Sequence, residues 1–304
     1  SGDAITTGHS NTAMGVSSLG ANTTGIYNLA LGISALQINT TGVSNVAVGA
    51  NALDANTTAS YNTAVGEAAL GANTTGASNV ATGQASLTSN TTGANNTALG
   101  VASLQANTTA SNNTAVGYGA LGANTTGASN VAVGVNAGDA LTASFRNVAV
   151  GFGALTSDTL GGRTTAIGYG SLQTQNFTSG TYSYNTALGY DSGAAVTTGT
   201  TNTLIGSVAG DSITTGSGNT FIGFESGSYG TNLATGSTNT LVGAYNNTTA
   251  TDSVNAMGFG YNLDCAAGYT TVGSGSADIR TAHGNITWAT VSDERYKKDI
   301  VDST

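Results

Sequence analysis

The sequence predicts an all-β protein that folds as an elongated parallel β-solenoid or β-roll of about sixteen coils, built mostly from 17-residue repeats. Three observations predict this class: a unit that begins with Asn recurs along the chain, its fifth position is always Gly, and its residues alternate with a period of two. Only 7% of the 304 residues are charged, and Pro is absent. A collagen triple helix is excluded, because it requires Gly at every third position together with Pro.

The repeat begins at Asn11 and places an Asn at every seventeenth residue as far as Asn147. A representative unit spans residues 62–78. Later spacings vary, and we assign the last two units to Val254 and Tyr269, each at a spacing of 15 residues. Units of this length are too short for helical pairs or propeller blades, so each is expected to form one coil.

Within a coil, the alternation in Thr63-Ala64-Val65 predicts a short strand with positions two and four on one face and positions three and five on the other. A second short strand is predicted at the Ala-Leu pair that follows, as at Ala69-Leu70. The Asn-Thr-Thr-Gly run before the next unit has the composition of a turn.

The assembly state follows from the thin core, because each coil offers only a few medium-sized apolar side chains. Ala occupies the third position of eleven consecutive units, from Ala13 to Ala187. We expect this small-residue face to pack against identical copies, and ladders of identical Asn and Thr side chains to pair along the stack. The sequence therefore predicts a homotrimeric fibre whose first partner is the chain itself.

Four segments differ in character. Residues 1–10 form an N-terminal lead-in, and residues 11–150 form a regular shaft of 17-residue repeats. Residues 151–284 form a thicker, irregular repeat region with inserted loops and most of the aromatic residues, and residues 285–304 form a terminal junction.

The Asn-Thr/Val-Ala-Val-Gly units resemble those of bacteriophage tail-fibre proteins and, more distantly, the left-handed β-roll heads of trimeric autotransporter adhesins. The resemblance covers about residues 11–284. It implies a fibre on the virion that contacts other virion tail proteins and a host-surface glycan or protein receptor. The alternative is a trimeric adhesin on a bacterial cell surface. Solenoid handedness follows only from this resemblance.

A second resemblance concerns Ser292-Asp293-Glu294-Arg295-Tyr296-Lys297-Lys298-Asp299-Ile300. This run is similar to the opening of the intramolecular chaperone domain at the C-termini of phage tail spikes and fibres, which assists trimer assembly and then releases itself by autoproteolysis. The resemblance implies that Ser292 is the nucleophile, Lys297 its base and Val291–Ser292 the scissile bond. A desolvated Lys can act as such a base. Whether this bond is cut in this chain stays open at the sequence level.

Candidate ligand-binding residues lie in the inserted loops, where Phe177, Tyr182, Tyr184 and Tyr229 could stack on sugar rings of a host glycan. The simpler alternative, which we favour, is that these rings pack against the shaft or the trimer axis.

Several other functions are disfavoured. No Lys or Arg precedes Arg146, so a nucleic-acid interface there is not expected. The sequence contains no apolar run of about 18 residues, so membrane insertion is not expected. His9, His283 and Cys265 do not form a metal-ligand spacing, and no cofactor is expected. Sparse charge argues against a glycan depolymerase or any enzyme apart from self-cleavage, and the Thr pairs lie in predicted turns, which argues against ice binding.

Overall fold

A computed structural model of the chain describes residue 2, residues 4–230 and 233–284, and the backbone of residues 289–290. The Cα atoms group into two compact units. Unit 1 comprises Ser1–Tyr169 and Asn176–Tyr182, and unit 2 comprises Gly170–Gln175 and Ser183–Thr304. Both units consist of short β-strands and turns, and no helix occurs among the described residues.

In the described part of unit 1, ten three-residue strands form one parallel sheet, with one strand from each coil. Successive strands pair with a shift of one repeat, so that Ala47 lies opposite Ala64 and Ala64 lies opposite Ala81. The strands are β1 (Thr12–Met14), β2 (Leu29–Leu31), β3 (Val46–Val48), β4 (Thr63–Val65), β5 (Val80–Thr82), β6 (Thr97–Leu99), β7 (Thr114–Val116), β8 (Val131–Val133), β9 (Val148–Val150) and β10 (Thr165–Ile167).

Each strand of unit 1 turns its middle residue into the coil and its two flanking side chains outward, as the period of two requires. Ala30, Ala64 and Ala115 are fully buried, whereas Met14 and Leu99 are exposed. The prediction that the Ala face packs against identical copies is therefore wrong. The Ala methyl groups fill the interior of their own coil, which must also accommodate a Leu side chain from the following turn.

Glycine at the fifth position permits the close stacking of coils. Gly66 has a φ of 136°, a backbone conformation that is essentially restricted to Gly. A Cβ atom on Gly66 would lie 2.6 Å from the carbonyl oxygen of Gly83 in the next coil. The invariant fifth position thus reflects both backbone conformation and space.

The predicted second strand at Ala69-Leu70 is wrong, because these residues form a turn. Ala68 and Leu70 adopt left-handed φ values of 55° and 52°, a conformation that costs an L-residue roughly 1–2 kcal/mol. The Leu70 side chain is fully buried, and its backbone N–H donates to the Ser86 carbonyl of the next coil at 3.0 Å. Side-chain burial and hydrogen bonding between coils offset the strain, so the turn stacks without being a strand.

Two columns of buried Asn side chains run through unit 1 and confirm the expected Asn ladders. At the twelfth position, Asn90 Nδ2 donates to Asn73 Oδ1 at 2.8 Å and to the Gly93 carbonyl at 3.0 Å. At the first position, Asn62 Oδ1 accepts the backbone N–H of Asn79 at 2.9 Å. Buried polar groups require such partners, and the repeat supplies them from neighbouring coils.

Unit 2 has the same coil plan with a more apolar interior. After Ala187 in its first coil, the next three third positions hold Leu204, Phe221 and Leu241, all of them fully buried. Parallel pairing links β11 to β12, β12 to β13, β13 to β14, β14 to β16 and β16 to β18. The strands of unit 2 are β11 (Thr186–Leu188), β12 (Thr203–Ile205), β13 (Thr220–Ile222), β14 (Thr240–Val242), β15 (Asn247–Thr248), β16 (Met257–Tyr261), β17 (Asp264–Cys265), β18 (Tyr269–Ser274), β19 (Ala277–Ala282) and β20 (Ala289–Thr290).

The last coils of unit 2 differ from the predicted register. The backbone N–H of Ala256 donates to Asn239 Oδ1 at 2.8 Å, so Ala256 rather than Val254 occupies the first position. Gly260 lies opposite Gly273, which makes the final coil shorter than the repeats before it. The sheet then ends in antiparallel pairs between β18 and β19 and between β19 and β20. The predicted all-β parallel solenoid is confirmed in both units.

Candidate binding surfaces

The outward positions four and six of the unit-1 coils carry large apolar side chains. Met14 is 67% exposed, Val16 is 70% exposed and Ile33 is 60% exposed. We call this column the outer stripe. Its exposed members are Met14, Val16, Ile33, Val65, Leu99, Val101, Tyr118, Val133, Val135, Phe152 and Tyr169.

The outer stripe is nearly uncharged, since Glu67 is the single charged residue that the sequence places at these positions in unit 1. Gln84 Nε2, one coil further along, donates to Glu67 Oε2 at 3.1 Å. Adjacent coils are about 4.8 Å apart, so equivalent side chains touch, as the stacked rings of Phe152 and Tyr169 do at a centroid distance of 5.2 Å. The stripe can therefore pack as an apolar surface on either side of a short polar segment formed by Glu67, Thr82 and Gln84.

Two of the predicted ligand-binding aromatics lie in unit 1, in different environments. Phe177 is buried, and its backbone N–H donates to Asp158 Oδ1 at 3.1 Å. Tyr182 is partly exposed and meets Phe145 edge-on at a centroid distance of 5.7 Å. The guanidinium carbon of Arg163 lies 4.1 Å from the centre of the Tyr182 ring. Phe177 thus belongs to the core, and Tyr182 packs in a cluster with a cation and another ring.

The other two predicted aromatics, Tyr184 and Tyr229, lie in unit 2 and both are exposed. Tyr184 adopts a left-handed φ of 52° in the turn before Asn185. Tyr229 lies in the inserted segment of its coil and joins a cluster of rings described below. The predicted self-cleavage residues Ser292 and Lys297 lie outside the described residues.

Tyr229 helps to line a groove of about 430 Å³ in unit 2. We call it the tyrosine groove, and its lining residues are Glu225, Tyr229, Tyr245, Tyr261 and Asn262. Tyr245 is the central ring: its centroid lies 5.0 Å from that of Tyr229, at an interplanar angle of 71°, and 5.6 Å from that of Tyr261, at 83°. Grooves of this size are in the range of about 300–1,000 Å³ that small ligands occupy.

The local fold explains why these side chains meet. Glu225, Tyr245 and Asn262 occupy the seventh position of three successive coils, each with a left-handed φ between 51° and 58°. Backbone hydrogen bonds stack these turns: the Tyr245 N–H donates to the Phe224 carbonyl at 2.9 Å. The small residue Ala244, at the sixth position of the middle coil, leaves room for the Tyr245 ring.

The polar atoms that face the groove are available to a ligand. The carboxylate of Glu225, the amide of Asn262 and the hydroxyls of the three tyrosines make no side-chain hydrogen bond with any described residue. Tyr229 and Tyr261 are 47% and 53% exposed. The groove therefore offers aromatic faces, one carboxylate and one amide to the solvent.

Sequence reasoning identified Tyr229 but missed Tyr245, Tyr261 and Glu225. A signal was present, because Tyr229, Tyr245 and Tyr261 follow one another at equal spacings that are close to the length of one coil. Aromatic residues that recur at nearly the coil length are expected to lie beside one another in neighbouring coils, whereas the sequence-based prediction considered only the inserted loops.

Cys265 is a buried thiol in unit 2. Burial raises the pKa of the Cys265 thiol to about 12, and the nearby carboxylates of Asp264 and Asp278 act in the same direction. A thiol with such a pKa is a poor nucleophile at neutral pH. Across the described part of the chain, no group of three or more His, Cys, Asp and Glu side chains is arranged to hold a metal ion.

The described residues contain no helix of sufficient length and apolar character to cross a membrane. The chain shows no significant match to any protein-family model, to any curated protein or to any solved structure.

Proposed function

We propose that this chain is the structural and receptor-binding part of a trimeric bacteriophage tail fibre, which acts in attachment to the host cell. The observation that carries the proposal is the outer stripe of unit 1. Soluble monomers rarely expose contiguous apolar patches larger than a few hundred Å². A column of exposed Met, Val, Leu, Ile and aromatic side chains in eight of the ten coils requires a covering partner.

Identical copies are the partner whose geometry matches the outer stripe. Another copy presents apolar side chains at the same rise of about 4.8 Å per coil, so the two surfaces stay in register over their whole length. Positions four to six span about 10 Å, so ten coils offer roughly 500 Å² of flat area, more than half of the 800 Å² per partner of a typical stable interface. With Glu67 as the single charge, little desolvation of ionic groups opposes this packing.

The phage assignment rests on the resemblance of the repeat units to tail-fibre proteins and of residues 292–300 to the opening of a chaperone domain. In this proposal the fibre is part of the virion, contacts other tail proteins, and presents three copies of each binding surface to a host glycan or protein receptor. Three weak contacts on one rigid assembly act together, since each later contact is intramolecular. Self-cleavage by Ser292 and Lys297 rests on the sequence motif alone.

Charge substitution on the outer stripe tests the assembly. Leu99→Glu together with Val101→Glu places two carboxylates in the proposed interface of each copy, and we expect the trimer to dissociate. The matched control is Thr92→Glu with Thr109→Glu, two exposed turn positions away from the stripe, which should leave the trimer intact. Sedimentation velocity measures both variants. Dissociation of both variants, or of neither, would contradict the stripe as the interface.

The alternative function, a bacterial trimeric adhesin, predicts the same packing between copies. The sequence encoded downstream in the gene distinguishes the two functions, whereas the fold does not. A chaperone domain encoded downstream of residue 304 supports the phage fibre. A membrane-anchor domain in that place would instead support the adhesin and contradict the phage assignment.

A further inference from the structure

The rings of the tyrosine groove stand as perpendicular walls rather than as a flat stack. Tyr229 and Tyr261 each lie nearly perpendicular to Tyr245, at centroid distances of 5.0 Å and 5.6 Å. Phe224 supports Tyr245 from behind in a third edge-on contact at 5.3 Å. Aromatic faces carry partial negative charge, so a concave site walled by such rings favours a positively charged ligand.

The formal charge of the groove is also negative. Glu225 is the one ionisable acid among its lining residues, and no Lys or Arg lines it. The sequence contains no Lys or Arg between Arg163 and Arg280. Coulomb attraction therefore favours a cation at this place and disfavours phosphate, sulfate or carboxylate groups.

We propose that the tyrosine groove binds a quaternary ammonium group, such as the trimethylammonium head of choline. The methyl groups contact the rings of Tyr229, Tyr245 and Tyr261, and the cationic charge lies within reach of their faces and of Glu225. Cation–π attraction acts within about 6 Å of a ring centroid. The amide of Asn262 is free to donate to a hydroxyl on the rest of the ligand.

A quaternary ammonium fits the groove better than a primary ammonium or a neutral sugar. A lysine-like ammonium carries three N–H donors, and Glu225 and the Asn262 carbonyl are too few acceptors to replace its hydration. A neutral saccharide gains nothing from the carboxylate charge. The site is independent of lateral assembly and adds a ligand to the proposed attachment role.

Choline and its uncharged isostere 3,3-dimethylbutan-1-ol provide the direct test, because they share shape and differ in charge. Titration of the full chain with each compound, followed by isothermal calorimetry or ligand-observed NMR, measures the two affinities. We expect choline to bind at least about tenfold more tightly, the ratio that corresponds to roughly 1.4 kcal/mol of cation–π and ionic attraction. Equal affinities, or no choline binding, would overturn the proposal.

Variants locate the binding. Tyr245→Leu should weaken choline binding at least tenfold, Tyr245→Phe should retain it because the ring face remains, and Glu225→Gln should weaken it several-fold. Tyr61→Leu is the matched control, since Tyr61 is an exposed tyrosine of unit 1. Circular dichroism checks folding, and the isosteric Glu225→Gln keeps the test valid if Tyr245→Leu does not fold. Unchanged binding in both Glu225→Gln and Tyr245→Leu would refute the site.

The source of the ammonium group is resolved in a second arm with vesicles of phosphatidylcholine. Cosedimentation that free choline abolishes supports the groove and assigns a lipid headgroup as the source. Binding of free choline without cosedimentation supports the groove and assigns choline carried by a non-lipid molecule. The stripe variant Leu99→Glu with Val101→Glu should bind choline as the parent does, so that failure of the fibre assembly and failure of this site are distinguishable.

Discussion

The coils of unit 1 and unit 2 fill similar interiors in opposite ways. In unit 1 the third position is small, the ninth is Leu and the twelfth is Asn, as in the coil of Ala64, Leu70 and Asn73, all fully buried. In the unit-2 coils of Leu204 and Phe221 the third position is large and the ninth is Gly. Phe221 with Gly227 is the clearest case, because a Cβ atom on Gly227 would overlap the Phe221 ring.

A similar exchange of large and small residues occurs in some coils between the ninth and twelfth positions, where Gly at the ninth accompanies a large apolar residue instead of Asn at the twelfth. Gly193 and Gly210 are followed three residues later by the buried apolar residues Val196 and Ile213. Unit 1 contains one coil of this kind, where Leu141 replaces Asn and the ninth position is Gly138. A Cβ atom on Gly138 would lie 3.0 Å from Leu141 Cδ1. The difference teaches that a large side chain at one interior position is accompanied by Gly at a neighbouring one, while the balance of polar and apolar groups is free to change.

The largest expected effect comes from converting a unit-2 coil to the unit-1 scheme. Phe221→Ala removes a fully buried ring and should cost about 4 kcal/mol of unfolding free energy. Gly227→Leu alone should be similarly damaging, since it drives a side chain into Phe221. The double variant restores the small–large pairing, so its cost should be at least 1 kcal/mol less than the sum of the two single costs, within the range of couplings of about 0.5–3 kcal/mol between contacting residues.

Urea unfolding followed by circular dichroism measures these three variants. Gly66→Ala serves as a control, because the fifth-position Gly is required in both units and no partner change should rescue it. A double variant whose cost equals the sum would contradict the volume exchange.

A smaller effect concerns the Asn ladder of unit 1. Asn90→Ala leaves Asn73 Oδ1 buried without its donor and removes the bond from Asn107, so it should cost about 2 kcal/mol. Asn124 ends the ladder, and its Oδ1 has no hydrogen-bond partner. Asn124→Ala should therefore cost about 1 kcal/mol less than Asn90→Ala. Equal losses in urea unfolding would show that pairing along the ladder does not carry the stability.

The smallest effect is kinetic and probes the apolar interior of unit 2. With a pKa of about 12, only about one Cys265 thiol in 10⁴ is ionised at pH 8, so alkylation by iodoacetamide should be very slow in the folded chain. The rate should rise about tenfold per pH unit below pH 12, because the thiolate is the reactive form. Thr109→Cys, in an exposed turn of unit 1, should react at the rate of a free thiol. Equal rates at the two positions would contradict a closed core.

The sequence predicted the coil but not its interior face. The regular spacing of Asn and the Gly at the fifth position are sufficient to predict a stack of coils. Both recur in unit after unit, although the residues between them vary. The alternation in Thr63-Ala64-Val65 leaves open which face is buried, since Ala and Val are both apolar. The space inside the coil determines which face is buried. In this coil Ala64 fits beside the buried Leu70, and Val65 lies on the outside.

Turns and grooves were harder to predict. The pair Ala69-Leu70 looks like a strand because Leu rarely adopts a left-handed φ, and Leu70 is held in that conformation by its burial and by its hydrogen bond to the next coil. Tyr245 lies outside the inserted loops, so its contact with Tyr229 depends on the register between coils. The sequence pattern placed the start of the next-to-last coil at Val254, two residues before its actual start at Ala256. The final coil is shorter than the others, and the pattern alone did not reveal this.

The native mass of the chain tests the central claim of lateral self-assembly most directly. Sedimentation equilibrium should give about 89 kDa, three times the chain mass of 29.6 kDa. A single species of 29.6 kDa that persists at micromolar concentration would contradict the outer stripe as an interface between copies.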